Sequence, residues 1–410
     1  MQGLRENKLQ FLLLVIVNAF VGAMVGMERS ILPEFGKSLF SLSSATALTS
    51  FIIAFGISKS FSNYAVGAFS KKFTRKQILV AGWLMAAPVP FILMYANHWN
   101  WVILANILLG LSQGLTWSTT VLMKIDLVGN KNRGLAMGIN EFAGYLSVGL
   151  AAYISSELAA KYGYELYPFI PGLFFVFAGL VLSLFYVKDT AAFVQAESRE
   201  SSIPIIKNIW SQTSWNHRNL GSVTLNGLVN NLNDGVMWGL VPLLLMQRHY
   251  TIAQIGMIAG IYPAVWGISQ LFTGKMGDWF CKKQLITLGM LLQALAIVFL
   301  VVFPSLSGAI IAAVLLGLGT GLVYPNFLTV VAENAHPTQR AEVMGVFRFW
   351  RDMGYVVGAL LSGVLADWLA LEPALYIIAG ITAGAGLIAN ARMCCTLKVF
   401  WRTQECAPAV

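Results

Sequence analysis

Twelve stretches of this 410-residue chain are apolar over about twenty residues each, and no other feature constrains its fold as tightly. At 1.5 Å per residue, that length crosses the roughly 30 Å hydrocarbon core of a bilayer as a helix. In that medium every backbone polar group must be satisfied within the segment, which leaves helices as the spanning element for runs this long. The expected spans are 11–33, 46–67, 77–96, 100–123, 134–157, 167–187, 219–247, 252–275, 284–304, 307–331, 341–368 and 373–393. Composition agrees: 11% of residues are charged, against roughly 25% in soluble domains, and the mean hydropathy is +0.69. The first run is too long for the apolar core of a signal peptide and lacks a small-residue cleavage site, so it reads as the first span.

The chain also repeats itself. Adding 207 maps Gly110-Leu-Ser-Gln-Gly114-Leu onto Gly317-Leu-Gly-Thr-Gly321-Leu, and Arg133-Gly-Leu-Ala-Met137-Gly138 onto Arg340-Ala-Glu-Val-Met344-Gly345. The same shift carries the loop Gly67 to Gln77 onto Gly274 to Gln284. Three blocks at one offset imply two copies of a six-helix unit, related about an axis along the membrane normal. The expected organisation is an N-terminal bundle over 1–187, a polar linker over 188–218, a C-terminal bundle over 219–393 and a basic tail over 394–410. Gly110-x-x-x-Gly114 and Gly317-x-x-x-Gly321 read as close helix packing.

The net charge of +9 reports orientation rather than nucleic-acid binding. With both termini inside, the loop bases fall almost wholly on the cytoplasmic face. They include Lys71, Lys72, Arg75, Lys76, Lys124, Lys131, Arg133, Lys282, Lys283, Arg340 and Arg392. That is the positive-inside pattern of a multi-pass protein in a bacterial inner membrane. The four cysteines (Cys281, Cys394, Cys395, Cys406) lie on the same side, where free thiols are expected. No metal or cofactor site is expected: the four histidines sit in loops or at helix ends, and no Gly-x-x-x-x-Gly-Lys-Ser/Thr motif is present.

Two six-helix halves, each with a basic Gly-containing loop after its second helix, resemble the major facilitator superfamily of secondary transporters over essentially the whole chain. The family's loop reads roughly Gly-x-Leu-Ala-Asp-Arg-x-Gly-Arg-Lys. Here the second copy, Gly274-Lys-Met-Gly-Asp278-Trp-Phe-Cys-Lys282-Lys283, fits it, whereas the first, Gly67-Ala-Phe-Ser-Lys71-Lys72-Phe-Thr-Arg75-Lys76, places Lys71 at the acidic position. The resemblance implies a cytoplasmic gate in which Asp278 braces the positive N-terminal end of the helix near Arg133. Lys71 cannot brace a helix in this way, so the halves of the gate should be unequal. Two family features are missing. Asn106 stands where proton-coupled members often carry Arg, and Gly144-Tyr-Leu-Ser-Val-Gly149 replaces the Gly-Pro-x-x-Gly-Gly type of many drug antiporters.

Spans 3, 6, 9 and 12 contain no charged residue in their interiors; the resemblance implies that these face lipid. Charges fall elsewhere: Glu28 and Arg29 in helix 1, Lys59 in helix 2, Glu141 in helix 5, Asp234 in helix 7, and Arg348, Arg351 and Asp352 in helix 11. Each costs roughly 2.5–3.5 kcal/mol at the bilayer centre, so pairing or hydration is required and a solute or ion pathway is the expectation. Arg348 and Asp352 are i and i+4 and able to pair. Glu141 is the counterpart of Arg348 under the repeat, which suggests a contact between halves. Lys59 balances between snorkelling to the inner face and a cavity role. Asn230, Trp238, Trp266, Tyr324 and Asn326 are candidates to complete an amphipathic pocket, and Asp234 and Asp352 to carry a proton.

The expected function is secondary active transport of a small organic solute by alternating access, coupled to protons or another ion, with efflux favoured over uptake of an organic anion. A membrane-embedded enzyme or a non-transporting sensor is the alternative from another class. The expected partners are a small-molecule solute, a coupling ion and the lipid bilayer, with the protein a monomer.

Overall fold

The computed structural model describes residues 3–70, 72–128, 133–193, 204–336 and 338–395. Within them the chain forms twelve helical rods. The first six are α1 (Lys8–Arg29, continued as Leu32–Phe40), α2 (Ala45–Phe69), α3 (Arg75–Ala86, continued as Val89–Met94), α4 (Trp99–Val128), α5 (Arg133–Tyr162) and α6 (the 3-10 turn Tyr167–Phe169 leading into Ile170–Phe185). The second six are α7 (Arg218–Trp238, continued as Leu240–Gln247), α8 (Ile252–Trp279), α9 (Lys282–Val302), α10 (Leu306–Glu333), α11 (Arg340–Leu369) and α12 (Leu371–Arg392).

Three rods are broken, and the breaks share a cause. The helical segments end at Arg29, Ala86 and Trp238, each four residues before a proline (Pro33, Pro90 and Pro242). A proline ring clashes with the carbonyl four residues earlier and offers no N–H to it. By contrast, Pro263 and Pro325 are accommodated inside the continuous helices α8 and α10.

Among the described residues, nine rods are long and apolar enough to cross a membrane. The three that are not, α2, α5 and α7, spend their interiors on polar side chains such as Lys59 and Asn63, Asn140 and Glu141, and Asn226 to Asp234. Those side chains are buried. Helices α3, α6, α9 and α12 instead turn large apolar residues outward, among them Phe91, Phe177, Leu295 and Leu387. These helices are therefore built for lipid on one side and protein on the other.

The 207-residue repeat is a structural repeat. A Cβ added to Gly110 would lie 2.5 Å from the carbonyl oxygen of Phe55, and one added to Gly317 would lie 2.7 Å from that of Tyr262, its repeat mate. Arg75 Nε meets Asp126 Oδ2 at 2.7 Å, while Lys282 Nζ meets Glu333 Oε1 at 3.0 Å; both partners are shifted by 207. Each bracket ties the start of the third helix of its half to the end of the fourth.

The halves meet along two seams, α2 with α11 and α5 with α8, the most extensive helix pairings in the molecule. The α2–α11 seam is closed along its length. Gly67 abuts Ala341 and Glu342 at the end that bears the termini, and Thr46 Oγ1 donates to Asp367 Oδ2 at 2.8 Å at the other. On α5–α8, Gly138 packs on the backbone of Gln270 and Gly256 on Ser156.

Two expectations are corrected. Cys281 and Cys395 are not free thiols but form a disulfide, because the segment after α12 folds back against the start of α9 and brings the two Cα atoms to 5.7 Å. Cys406 lies outside the described residues. Lys124 is not a surface base of the inner face: it is fully buried in α4 and donates to Asn140 Oδ1. The linker supplies a short helix, Ile209–Ser211, and a π turn, Gln212–Asn216.

Candidate functional site

The buried charges gather where the two seams face each other, and Asp352 is their hub. Its Oδ1 lies 3.5 Å from Lys59 Nζ on α2 and 3.2 Å from Arg351 Nη1, and accepts from Asn231 Nδ2 on α7 at 3.0 Å. Its Oδ2 accepts from Asn63 Nδ2 on α2. A buried carboxylate needs such a shell, since burial without partners is costly. Lys59 therefore does not snorkel: it is buried and paired across the seam.

Arg348 does not pair with Asp352 directly, although helical spacing allows it. Its Nη1 donates to Ser118 Oγ on α4 at 2.7 Å, Ser118 donates to Asn63 Oδ1, and Asn63 donates to Asp352. Two neutral side chains thus relay between the arginine and the aspartate, and Lys59 and Arg351 take the place of the expected pair. Nor do Glu141 and Arg348 form an ion pair within 4 Å among the described residues. Glu141 Oε1 is instead held within its own half by Asn140 Nδ2 at 2.5 Å and Trp117 Nε1 at 3.3 Å.

Arg351 joins this hub to an aromatic wall. Its Nη2 donates to the Tyr145 hydroxyl at 3.1 Å, and its guanidinium lies 4.1 Å from the Tyr324 ring centroid. Tyr145 is stacked on Trp266 across the α5–α8 seam, with centroids 3.4 Å apart. Asp234 accepts from two tyrosine hydroxyls, Tyr262 and Tyr355, the latter at 3.3 Å. Trp238 is buried beside this group, its ring 6.2 Å from that of Tyr262.

Glu28 and Arg29 are fully buried. Asn106 Nδ2 donates to Glu28 Oε2 at 3.1 Å, and the Arg29 guanidinium lies 4.1 Å from the Phe55 ring centroid. Two further candidates face elsewhere. Asn230 accepts from Gln293 on α9 at 3.0 Å, inside the second half. Asn326 bonds its own helix at Leu322 and packs against Gly277.

Of the loop residues, Gly67 marks the closed end of α2, Arg75 and Lys282 form the brackets described above, and the backbone N–H of Lys76 donates to Asp189 at 3.1 Å. Gly274 and Arg340 are buried and Lys283 is half-buried. Lys71 and the side chains of Arg133 and Asp278 lie outside the described residues, so the expected brace of Asp278 falls there too.

Sequence reasoning missed Asn63, Ser118, Tyr145, Tyr355 and Asp126. The last left a readable signal, because Asp126 and Glu333 are both acidic and related by the same offset as Arg75 and Lys282. The others are ordinary polar residues inside spans, and nothing local distinguishes them.

A family model described as Major Facilitator Superfamily matches residues 11–218 and 223–402. The chain is 24% identical over 361 residues to the proton-coupled antiporter flippase LtaA of Staphylococcus saprophyticus, spanning 82% of this chain and 85% of that protein. It is 22% identical over 320 residues to the multidrug resistance protein MdtG of Salmonella arizonae, spanning 77% of each. The crystal structure of the human organic anion transporter MFSD10 superposes with a TM-score of 0.72 at 15% identity, over 93% of this chain and 99% of that one, a likeness of fold.

Proposed function

Because the chain belongs to the Major Facilitator Superfamily of transporters and is a multi-pass integral membrane protein, we propose that it is a proton-coupled secondary transporter that exports a small amphipathic or anionic organic solute by alternating access. In this reading residues 1–187 rock against 219–393 about a midplane site. Residues 188–218 link the two units, and the termini face the cytoplasm of a bacterial cell, the orientation that the basic loops support.

The observation that carries the reading is that Asp352 is held from both halves at once, by Lys59 and Asn63 on α2 and by Asn231 and Arg351 on α7 and α11. When α2 parts from α11, Asp352 loses a cation and a hydrogen-bond donor together. The opening that exposes the solute site is therefore the one that strips this carboxylate of partners from the first half. That is the thermodynamic requirement for coupling: the ion must distinguish the two states. Asp234, bonded to Tyr262 on α8 and Tyr355 on α11, is the second carboxylate candidate. Arg348 and Arg351 suit a negative group on the solute, and the names of LtaA and MdtG lend support to proton antiport and export.

The test is purified protein in liposomes with an imposed proton gradient, comparing wild type with Asp352→Asn and Asp234→Asn. Asp352→Asn is expected to remove the response of transport to the gradient while leaving solute exchange at equal pH. Gradient-driven transport that survives in both variants would refute proton coupling through these residues.

A further inference from the structure

One helical turn toward the terminal face from the Tyr145–Trp266 stack lies a layer of polar side chains with unused hydrogen-bonding capacity. Glu141 precedes Tyr145 by four residues on α5, and Gln270 follows Trp266 by four on α8. The helices run antiparallel, so both residues sit on the same side of the stack, where Gly138 packs on the Gln270 backbone. Gln270 is fully buried, yet neither atom of its amide has a partner among the described residues. Glu141 Oε2 is likewise unpartnered, as are Nε and Nη2 of Arg348.

The repeat explains why Gln270 is left open. Its mate is Asn63, whose amide is engaged at both ends: it accepts from Ser118 and donates to Asp352. Adding 207 to Ser118 gives Pro325, which has no polar side chain, and the residue that maps onto Asp352 is Tyr145, whose hydroxyl accepts from Arg351 and whose ring is stacked. The amide that closes one seam therefore has nothing to bond in the other. A buried amide with both ends open is unfavourable unless something outside the protein fills it.

We infer that Gln270 reads the transported solute, and that the solute's head is an oxyanion flanked by a hydroxyl or amino donor; this rests on the transport reading above. The free N–H groups of Arg348, on Nε and Nη2, donate to the oxyanion in a charge-assisted fork. The Gln270 amide, a donor and an acceptor in one group, takes the neighbouring O–H or N–H on its oxygen and gives an N–H to the oxyanion, with Glu141 Oε2 as a second acceptor in the layer. Tyr145 and Trp266 roof the layer and suit an apolar or aromatic body.

Mandelate and phenylacetate differ by one hydroxyl beside the carboxylate and serve as probes, with binding to the full-length protein in nanodiscs read by calorimetry and thermal shift. Wild type is expected to hold mandelate about 5-fold or more tighter than phenylacetate, the contribution of one buried hydrogen bond. Gln270→Leu should reduce that preference to less than about 2-fold on the same scale while still binding phenylacetate, which shows that the variant is folded. Undiminished discrimination in Gln270→Leu, equal binding of the two acids, or binding of neither by wild type overturns the inference. If neither acid binds while a proton gradient still drives another solute, only this inference falls. If no gradient drives transport although mandelate is preferred, only the coupling reading falls.

Discussion

Lys59 Nζ stands 3.5 Å from Asp352 Oδ1 across the α2–α11 seam, and the residues in the same two places of the repeat, Trp266 and Tyr145, are stacked ring on ring across the α5–α8 seam. One contact of the duplicated unit has become an ion pair and the other an aromatic stack. The two respond differently to water: an ion pair can be hydrated as its helices part, whereas a stack loses its apolar contact. In the transport reading proposed above, the α2–α11 seam is accordingly the one whose opening would couple to charge.

Breaking the ion pair from one side leaves the other charge buried. Lys59→Met alone and Asp352→Asn alone should each destabilise the protein by about 3–5 kcal/mol. The double variant should cost less than their sum, because the Lys59–Asp352 attraction is then counted once, whereas Arg351 keeps or loses its carboxylate independently of Lys59. Thermal unfolding in detergent checks this as a double-mutant cycle, and strict additivity would show that the pair is not coupled.

The two repeat-related brackets should differ in strength. Arg75 and Asp126 are largely buried, and Asp126 also accepts from Thr190 at 2.7 Å. Glu333 is half exposed. Asp126→Asn is expected to lower the melting temperature clearly, whereas Glu333→Gln should cost no more than about 1 kcal/mol and less in high salt. Equal effects of the two substitutions would contradict the burial difference.

The linker rests on both halves through one side chain. The Trp210 ring lies 5.5 Å from Tyr64 on α2 and 5.3 Å from Phe349 on α11, while Trp215 reaches Trp350 on α11. Trp210→Ala should weaken closure at the terminal face by about 0.5–1.5 kcal/mol, raising the labelling rate of a cysteine placed at Ala68 in a background without other cysteines. Trp215→Ala touches the second half alone and should leave that rate near wild type.

At the start of α7, His217 Nδ1 accepts the backbone N–H of Leu220 at 3.2 Å, a helix cap that requires the neutral ring. Burial holds the imidazole below its usual range. A folded-state value lowered in this way gives stability that is present above the ordinary imidazole range of about 6.5 and is lost as pH falls through the folded value. Hydrogen exchange at the Leu220 amide should therefore lose protection in acid. His217→Asn, which caps without titrating, should remove the pH dependence.

The chain alone determined the long apolar runs, the repeat, and the presence of charge in some of those runs but not in the interiors of α3, α6, α9 and α12. These are written in apolar run length and in residue identity at one fixed offset, both local to the sequence. The tertiary structure decided which charge meets which. Arg348 and Asp352 have the spacing to pair, yet Lys59, Asn63 and Ser118 intervene because helix rotation and close packing bring α2 and α4 to the same point. The burial of Lys124 and the Cys281–Cys395 bond were hidden for the same reason. Partners far apart in sequence are chosen by how rigid helices stack, and that choice depends on every neighbour at once rather than on any one stretch of residues.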